Sequence, residues 1–186
     1  MNLIFEITWI CWLLSEILLN ILLRSGSAGT EDFDKKSLRL IWITIIVSIV
    51  LGVLCAVNIE VPIVGAYWLN YTGVAIIILG MILRFVAIKT LGRFFTVDLS
   101  VREGHTLVNA GLYKYIRHPS YSGSLLSFFG FPLSLNNWVS LIVIFVPVLL
   151  VFLYRIRLEE GMLVKQLGTE YEAYQKRTKR LIPWIY

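Results

Sequence analysis

The sequence predicts an all-α integral membrane protein of five transmembrane helices, the last two a tight hairpin, with a polar cytoplasmic segment and a C-terminal helix. Three observations predict it. Of 186 residues, 58% are hydrophobic and 16% charged, against about 45–50% and about 25% in soluble domains. Four stretches, Leu3 to Leu23, Leu38 to Val57, Ile63 to Ile88 and Tyr121 to Tyr154, are nearly free of charge. Between and after them the basic residues cluster on one side only. Lipid-exposed backbone must satisfy its own hydrogen bonds, and unbroken apolar runs do not alternate as barrel strands do, which leaves helices.

A bilayer core about 30 Å thick needs about 20 helical residues, so each of the first three stretches spans alone. No Lys or Arg precedes the first and Glu6 lies inside it, which argues against a cleaved signal peptide. The fourth stretch breaks at Leu135-Asn136-Asn137-Trp138, leaving arms of about 15 to 17 residues, near the lower spanning limit. A tight hairpin follows from that break. Two further segments, Gly92 to Pro119 and Arg157 to Trp184, are too polar for lipid. In the second, Leu158, Met162, Leu163, Leu167, Tyr171 and Tyr174 recur at mostly three- or four-residue spacing, which reads as a helix with an apolar stripe that could pack on protein or at the lipid interface.

Lys and Arg number 17, and 16 of them fall in or beside the first loop, the segment after the third helix, or the tail after the last arm; the remaining one, Arg84, lies near the same end of the third helix. The loop Asn58 to Asn70 has none. The positive-inside rule makes the basic side cytoplasmic, with the N terminus outside and the C terminus and any active site inside. The net charge of +5 is thus topological, and gives no support for nucleic-acid binding. Cys11 and Cys55 lie in apolar helices and suggest no disulfide. His105 and His118, the whole histidine stock, lack the cysteine partners that a metal site would need, so no metal is expected.

Chemistry should reside in the polar segments. Arg117-His118-Pro119-Ser120-Tyr121-Ser122-Gly123 stands where the fourth apolar run begins. Proline is favoured at the first helical position, so Pro119 opens the hairpin with His118 at its cap, leaving the Ser120 and Tyr121 N–H groups and the positive helix end free for an anion. The plainer reading is a helix start with interfacial anchors. His105-Thr106-Leu107-Val108 and Gly111-Leu112-Tyr113 form a polar loop upstream. Arg155, at the edge of the last apolar arm, shares a helical face with Glu159, as Arg157 does with Glu160. Such pairs can be interfacial salt bridges, but a charge at the lipid edge tends to be functional or paired. Glu6, Glu16 and Asn20 could hydrogen-bond across helices, and Arg84 could snorkel or neutralise an acid.

Taken together, His105 to Val108, Gly111 to Tyr113, Arg117 to Gly123, Arg155 to Glu160, Gly168 to Tyr174 and Ile182-Pro183 closely resemble the isoprenylcysteine carboxyl methyltransferase family, in the form of a compact prokaryotic-type member. The resemblance covers about Gly92 to Pro183. It divides the chain into residues 1–91, three N-terminal transmembrane helices, and residues 92–186, a methyltransferase region of cofactor loop, hairpin and C-terminal helix. It implies S-adenosylmethionine as donor, S-adenosylhomocysteine as product, no metal, and a farnesylated or geranylgeranylated cysteine as acceptor within membrane lipid. It also implies donor contacts from His105, Thr106, Leu107, Val108, Tyr113, His118, Pro119, Ser120, Tyr121 and Glu159, with Arg155 on the acceptor carboxylate and Arg155 and Glu159 as the catalytic pair. Asp98 stands where some relatives carry an amide. The competing readings are a methyltransferase of phospholipid amines or small thiols, and a non-catalytic membrane adaptor.

Overall fold

The computed structural model describes residues 3–23, 32–65, 67–97 and 107–186. Six α-helices occur among them: α1 (Leu3–Leu22), α2 (Asp32–Asn58), α3 (Trp68–Leu91), α4 (Pro119–Ser134), α5 (Trp138–Leu167) and α6 (Thr169–Arg177), with short 3-10 turns at Gly92–Phe94 and Gly111–Lys114. Four of these, α1, α2, α3 and α5, are long and apolar enough to cross a membrane. The protein is an integral, multi-pass helical membrane protein. Their outward faces carry the residues lipid requires: Ile7, Ile10 and Leu14 on α1, Ile43, Ile46 and Val50 on α2, and Leu79, Ile82 and Phe85 on α3 are all exposed.

α4 and α5 are divided where the apolar run breaks, at 135–137. α4 has 16 residues, and at 1.5 Å per residue it is about 24 Å long. None of those residues is exposed, so α4 is the central helix, sheathed by its neighbours. Asn137 caps α5, its side chain accepting from the Ser140 N–H at 2.9 Å. Asn136, in a left-handed conformation with φ 51°, accepts from the N–H groups of Ile63 and Val64 at 3.1 Å each and donates to the Val64 carbonyl at 2.8 Å. The segment 59–64 is thereby pinned on the turn between α4 and α5, with further bonds from Asn137 to Ile59 and from the Trp138 N–H to Val61. These bonds explain why the third helix starts at Trp68 rather than at the first apolar residue, Ile63. Ile63 and Val64 spend their backbone groups on Asn136 instead of on a helix.

Glycines set the closest helix contact. Gly73 and Gly80 of α3 face Gly130 and Gly123 of α4 so closely that a Cβ on Gly123 would lie 2.6 Å from the Arg84 backbone nitrogen, and one on Gly130 2.7 Å from the Gly73 carbonyl. Backbone-to-backbone packing through small residues is how helices adhere where the solvent is itself apolar. α2 lies on α5, and α1 leans on α3 and α4 through aromatic edges, with ring centroids 4.9 Å apart for Trp12–Phe128 and 5.2 Å for Trp9–Phe131. The core holds Trp12, Ile77, Phe128, Ile144, Val148 and Ile156.

One expectation is corrected. The polar tail is not a separate helix from Arg157 to Trp184: α5 carries the membrane arm on to Leu167 without interruption, Gly168 breaks the path with φ 55°, and α6 ends at Arg177. The periodicity of the apolar stripe survives the break because both helices face the same cavity.

Candidate active site

The start of α4 is built by the chain's end. Residues 115–118 run beside 178–181, with the Arg117 N–H donating to Lys179 (2.8 Å), the His118 N–H to Arg180 (3.0 Å), and the Lys179 N–H to Tyr115 (3.1 Å). Ser122 Oγ donates to the Leu181 carbonyl at 2.7 Å. Tyr174 donates to the Tyr113 carbonyl at 2.6 Å, and burial pushes its hydroxyl up to about 12, so it stays a proton donor at physiological pH. His118 is the N-cap residue and Pro119 takes the first turn, as the sequence predicts.

Glu160 is the hub of this brace. It accepts from Arg117 Nε at 2.8 Å and Arg180 Nε at 2.9 Å, with His118 Nε2 at 3.4 Å. Arg117 also donates to the carbonyls of Gln175 and Thr178. Glu159, one residue earlier, turns the other way, accepting the Tyr121 hydroxyl at 2.9 Å and lying 3.8 Å from His118 Nδ1. The intrahelical partnerships that the spacing allows give way to these: Glu160 serves Arg117 and Arg180, while Arg157 is exposed.

Arg155 is wholly buried rather than at an open lipid edge. It pairs with Asp34 of α2 at 2.5 Å and donates to Ser37 and, at 3.0 Å, to the Val97 carbonyl. Arg84 of α3 pairs with Glu16 of α1 at 3.2 Å, and its Nη1 donates to Ser124 Oγ (2.5 Å), Ser120 Oγ (3.2 Å) and the Ser120 carbonyl (3.3 Å). The reading that Arg84 neutralises an acid is realised.

Two cavities meet here. The first is polar and aromatic, walled by Phe94, Leu107, Val108, Tyr113, Arg117, His118, Ser120, Glu159, Met162, Leu163, Tyr171 and Tyr174 among others. Its volume between described residues is about 140 Å³, below the range of about 300–1,000 Å³ usual for ligand sites. Val97 and Leu107, which flank the stretch 98–106 outside the described residues, both stand in its wall. The second cavity, about 510 Å³, is apolar, lined by Leu13, Ile17 and Ile21 of α1, Leu38, Trp42, Ile45 and Ile49 of α2, and Phe128 and Phe152, with Glu16, Arg84 and Arg155 as its charged lining. Arg84, Val97 and Tyr121 belong to both walls.

Of the residues singled out from sequence, Leu107, Val108, Tyr113, His118, Ser120, Tyr121 and Glu159 line the first cavity, and Arg155 the second. Pro119 is buried behind the first and shapes it by opening the helix. His105, Thr106 and Asp98 lie outside the described residues. Arg84, Glu16 and Arg117, and Asp34 behind Arg155, are charged residues at the site that the sequence did not mark as part of it. Ionisable residues set inside apolar runs were the available signal for Glu16 and Arg84. Among the described residues no cluster of three or more His, Cys, Asp or Glu could hold a metal.

Known proteins resemble this chain in sequence and in fold. Protein-S-isoprenylcysteine O-methyltransferase B of Arabidopsis thaliana is 40% identical over 121 residues, 64% of this chain and 61% of that protein. Protein-S-isoprenylcysteine O-methyltransferase of Schizosaccharomyces pombe is 37% identical over 109 residues, 58% of this chain and 46% of its own. The chain thus matches under two thirds of the length of these relatives. A solved eukaryotic intramembrane Ras methyltransferase, ICMT, superposes over 97% of this chain and 65% of its own at 26% identity, with a TM-score of 0.67. The model of the isoprenylcysteine carboxyl methyltransferase (ICMT) family matches residues 73–165, half of the 186, and with it most of α3, all of α4, most of α5 and the wall between the two cavities; the chain belongs to that family.

Proposed function

We propose that this protein transfers a methyl group from S-adenosylmethionine to the α-carboxylate of a farnesylated or geranylgeranylated cysteine, leaving a methyl ester and S-adenosylhomocysteine. The observation that carries the reading is the meeting of a polar cavity and an apolar one at a wall shared by Arg84, Val97 and Tyr121. An acceptor with an isoprenoid tail and an ionised head needs that junction. α4 acts as a fifth, short pass, which sets the N terminus outside and the site on the cytoplasmic side, in keeping with the distribution of Lys and Arg.

The polar cavity suits the donor chemically. Glu159 offers a carboxylate whose remaining acceptor capacity can meet an ammonium or ribose hydroxyl, and the N–H groups of Ser120 and Tyr121, which have no carbonyl of their own helix to pair with, can receive a carboxylate. Leu107, Val108, Met162, Leu163 and the tyrosine rings supply apolar walls for a flat base. His105 and Thr106 are proposed to join these contacts beside Leu107. When bound, the donor supplies an electrophilic methyl on a sulfonium: a carboxylate oxygen forms the new C–O bond as the C–S bond breaks, the electron pair stays on sulfur, and no proton moves.

The protein's own part is alignment and desolvation. The acceptor α-carboxyl has a pKa of about 3.5 and is ionised without a base. Arg84 and Arg155 face the apolar cavity near its shared wall, so a guanidinium can hold the acceptor carboxylate and leave a free lone pair of one oxygen directed through the junction. A dry wall strips water from that oxygen and raises its nucleophilicity. α1 and α2 bound the apolar cavity and expose their outer faces to lipid, so an isoprenoid tail gains lateral access between them.

Labelled donor presented with N-acetyl-S-farnesylcysteine or with phosphatidylethanolamine tests the acceptor. Methylation of the prenylcysteine should hold nearly constant from about pH 8 to about pH 6, whereas an amine acceptor loses about tenfold per pH unit below its pKa. Transfer to the amine alone would overturn the assignment, and absence of S-adenosylhomocysteine binding by folded protein would favour an adaptor. Glu159→Gln keeps an acceptor for the Tyr121 hydroxyl but removes the charge. Calorimetry should then read a donor affinity lower by about 10- to 100-fold, the worth of a charge-assisted hydrogen bond. An unaltered affinity would remove Glu159 from the donor site.

A further inference from the structure

The N-terminal helix contributes a charge to the junction from outside the segment that the family model matches. Glu16 of α1 reaches Arg84 Nη2 at 3.2 Å and accepts from Ser124 Oγ at 3.4 Å, and its side chain is only 13% exposed. Arg84 divides its donors unevenly. Nη1 is saturated by Ser120 and Ser124, Nη2 carries Glu16, and Nε is buried with no hydrogen-bond partner among the described residues. Nε and Nη2 form one edge of the planar guanidinium, the edge that takes a carboxylate with two parallel bonds. Glu16 uses half of it.

We infer that Glu16 is a placeholder for the acceptor: its carboxylate holds Arg84 until an acceptor carboxylate takes the whole Nε–Nη2 edge and displaces it. This rests on the carboxylate-acceptor reading above. Two charge pairs, Glu16–Arg84 and Asp34–Arg155, leave the arginines facing the apolar cavity neutralised when no acceptor is bound. A neutralised arginine does not attract soluble anions into the membrane, and any carboxylate that binds must outcompete an acid already tethered beside it. The acceptor is therefore selected by the tail that keeps its head at the junction as well as by the head itself. Apart from Glu16, α1 is tied to α3 and α4 by ring contacts of Phe5, Trp9 and Trp12 and by the Trp9 Nε1 hydrogen bond to Ser134 Oγ at 2.9 Å, all N-terminal to Glu16 on the helix, so the Glu16 contact can open without breaking them.

Glu16→Gln leaves a side chain that can still bond Ser124 but competes weakly for a cation. The expected result is an affinity for N-acetyl-S-farnesylcysteine, the free acid, that rises by about tenfold, the scale set by one charge pair, with no change for its methyl ester and none for S-adenosylhomocysteine. Acetate should also inhibit the variant at lower concentration than it inhibits the native protein. Glu16→Asp, one methylene shorter, should fall between the two and serves if the glutamine variant does not fold. A weaker or equal affinity of the variant for the free acid, with S-adenosylhomocysteine binding intact, would overturn the inference and make Glu16 a support for Arg84. Failure of the native protein to methylate the acid at all would instead defeat the acceptor assignment, and this inference with it.

Discussion

Arg155→Met is expected to abolish methyl transfer and to destabilise the protein, and the two effects can be separated. The guanidinium is fully buried and holds Asp34, whose residue is 1% exposed. Removing one member of such a pair strands the other charge in an apolar setting, at about 3–5 kcal/mol. Inactivity of the single variant would therefore say little about chemistry. Replacing both members, Arg155→Met with Asp34→Leu, removes the stranded charge and should return most of the stability, since apolar substitutes for a buried pair are often neutral. Turnover by the double variant should nevertheless remain about 100- to 1,000-fold below normal, the size of effect seen when a preorganised charge is lost from a reacting centre. Thermal unfolding in detergent and labelled-donor transfer, measured on the same preparations, decide the matter. A double variant that is both stable and active would confine Arg155 to a structural role.

Gly123→Ala is expected to force apart the helices α3 and α4. Its Cβ would stand 2.6 Å from the Arg84 nitrogen and 2.8 Å from the Gly80 carbonyl. Both neighbours are backbone, so neither can rotate aside and the helices must separate. Overpacking of an ordinary core costs about 1–3 kcal/mol, and here the displaced helix carries Ser120 and Ser124, which hold Arg84. Loss of folded protein, or a fall in unfolding temperature together with lost turnover, is the expected reading by size-exclusion chromatography and calorimetry. Gly161→Ala is the control: outside its own helix backbone, no atom of the described residues lies within 4 Å of a Cβ placed there, and alanine in place of a mid-helix glycine gains about 0.5–1 kcal/mol. Equal tolerance of both substitutions would refute backbone contact between α3 and α4.

The elements were legible where lipid dictates them. A bilayer demands long apolar runs, so the presence of α1, α2 and α3 follows from composition, and the break between α4 and α5 from two adjacent asparagines in a run that otherwise has none. Less legible was the far end of α5, because a helix leaving the membrane changes its surroundings without changing its backbone, and periodicity reads the polar part as a new start. The site divides in the same way. Residues in one contiguous motif, such as His118, Ser120 and Tyr121, announce themselves locally. Arg84, Glu16 and Asp34 meet their partners across helices, at separations of 36 residues from Arg84 to Ser120 and 108 from Glu16 to Ser124. No local spacing encodes such encounters.

The short central helix has a consequence for the membranes in which the protein can work. α4 falls about 6 Å short of a hydrocarbon layer about 30 Å deep, yet neighbouring helices enclose it and the 59–64 segment, bound to Asn136, closes over its tip. Annular lipid therefore presses on the outer helices and not on the one that begins with the Arg117–His118 motif. A change of acyl-chain length should tilt α1 and α2 while leaving the depth of that motif nearly unaltered.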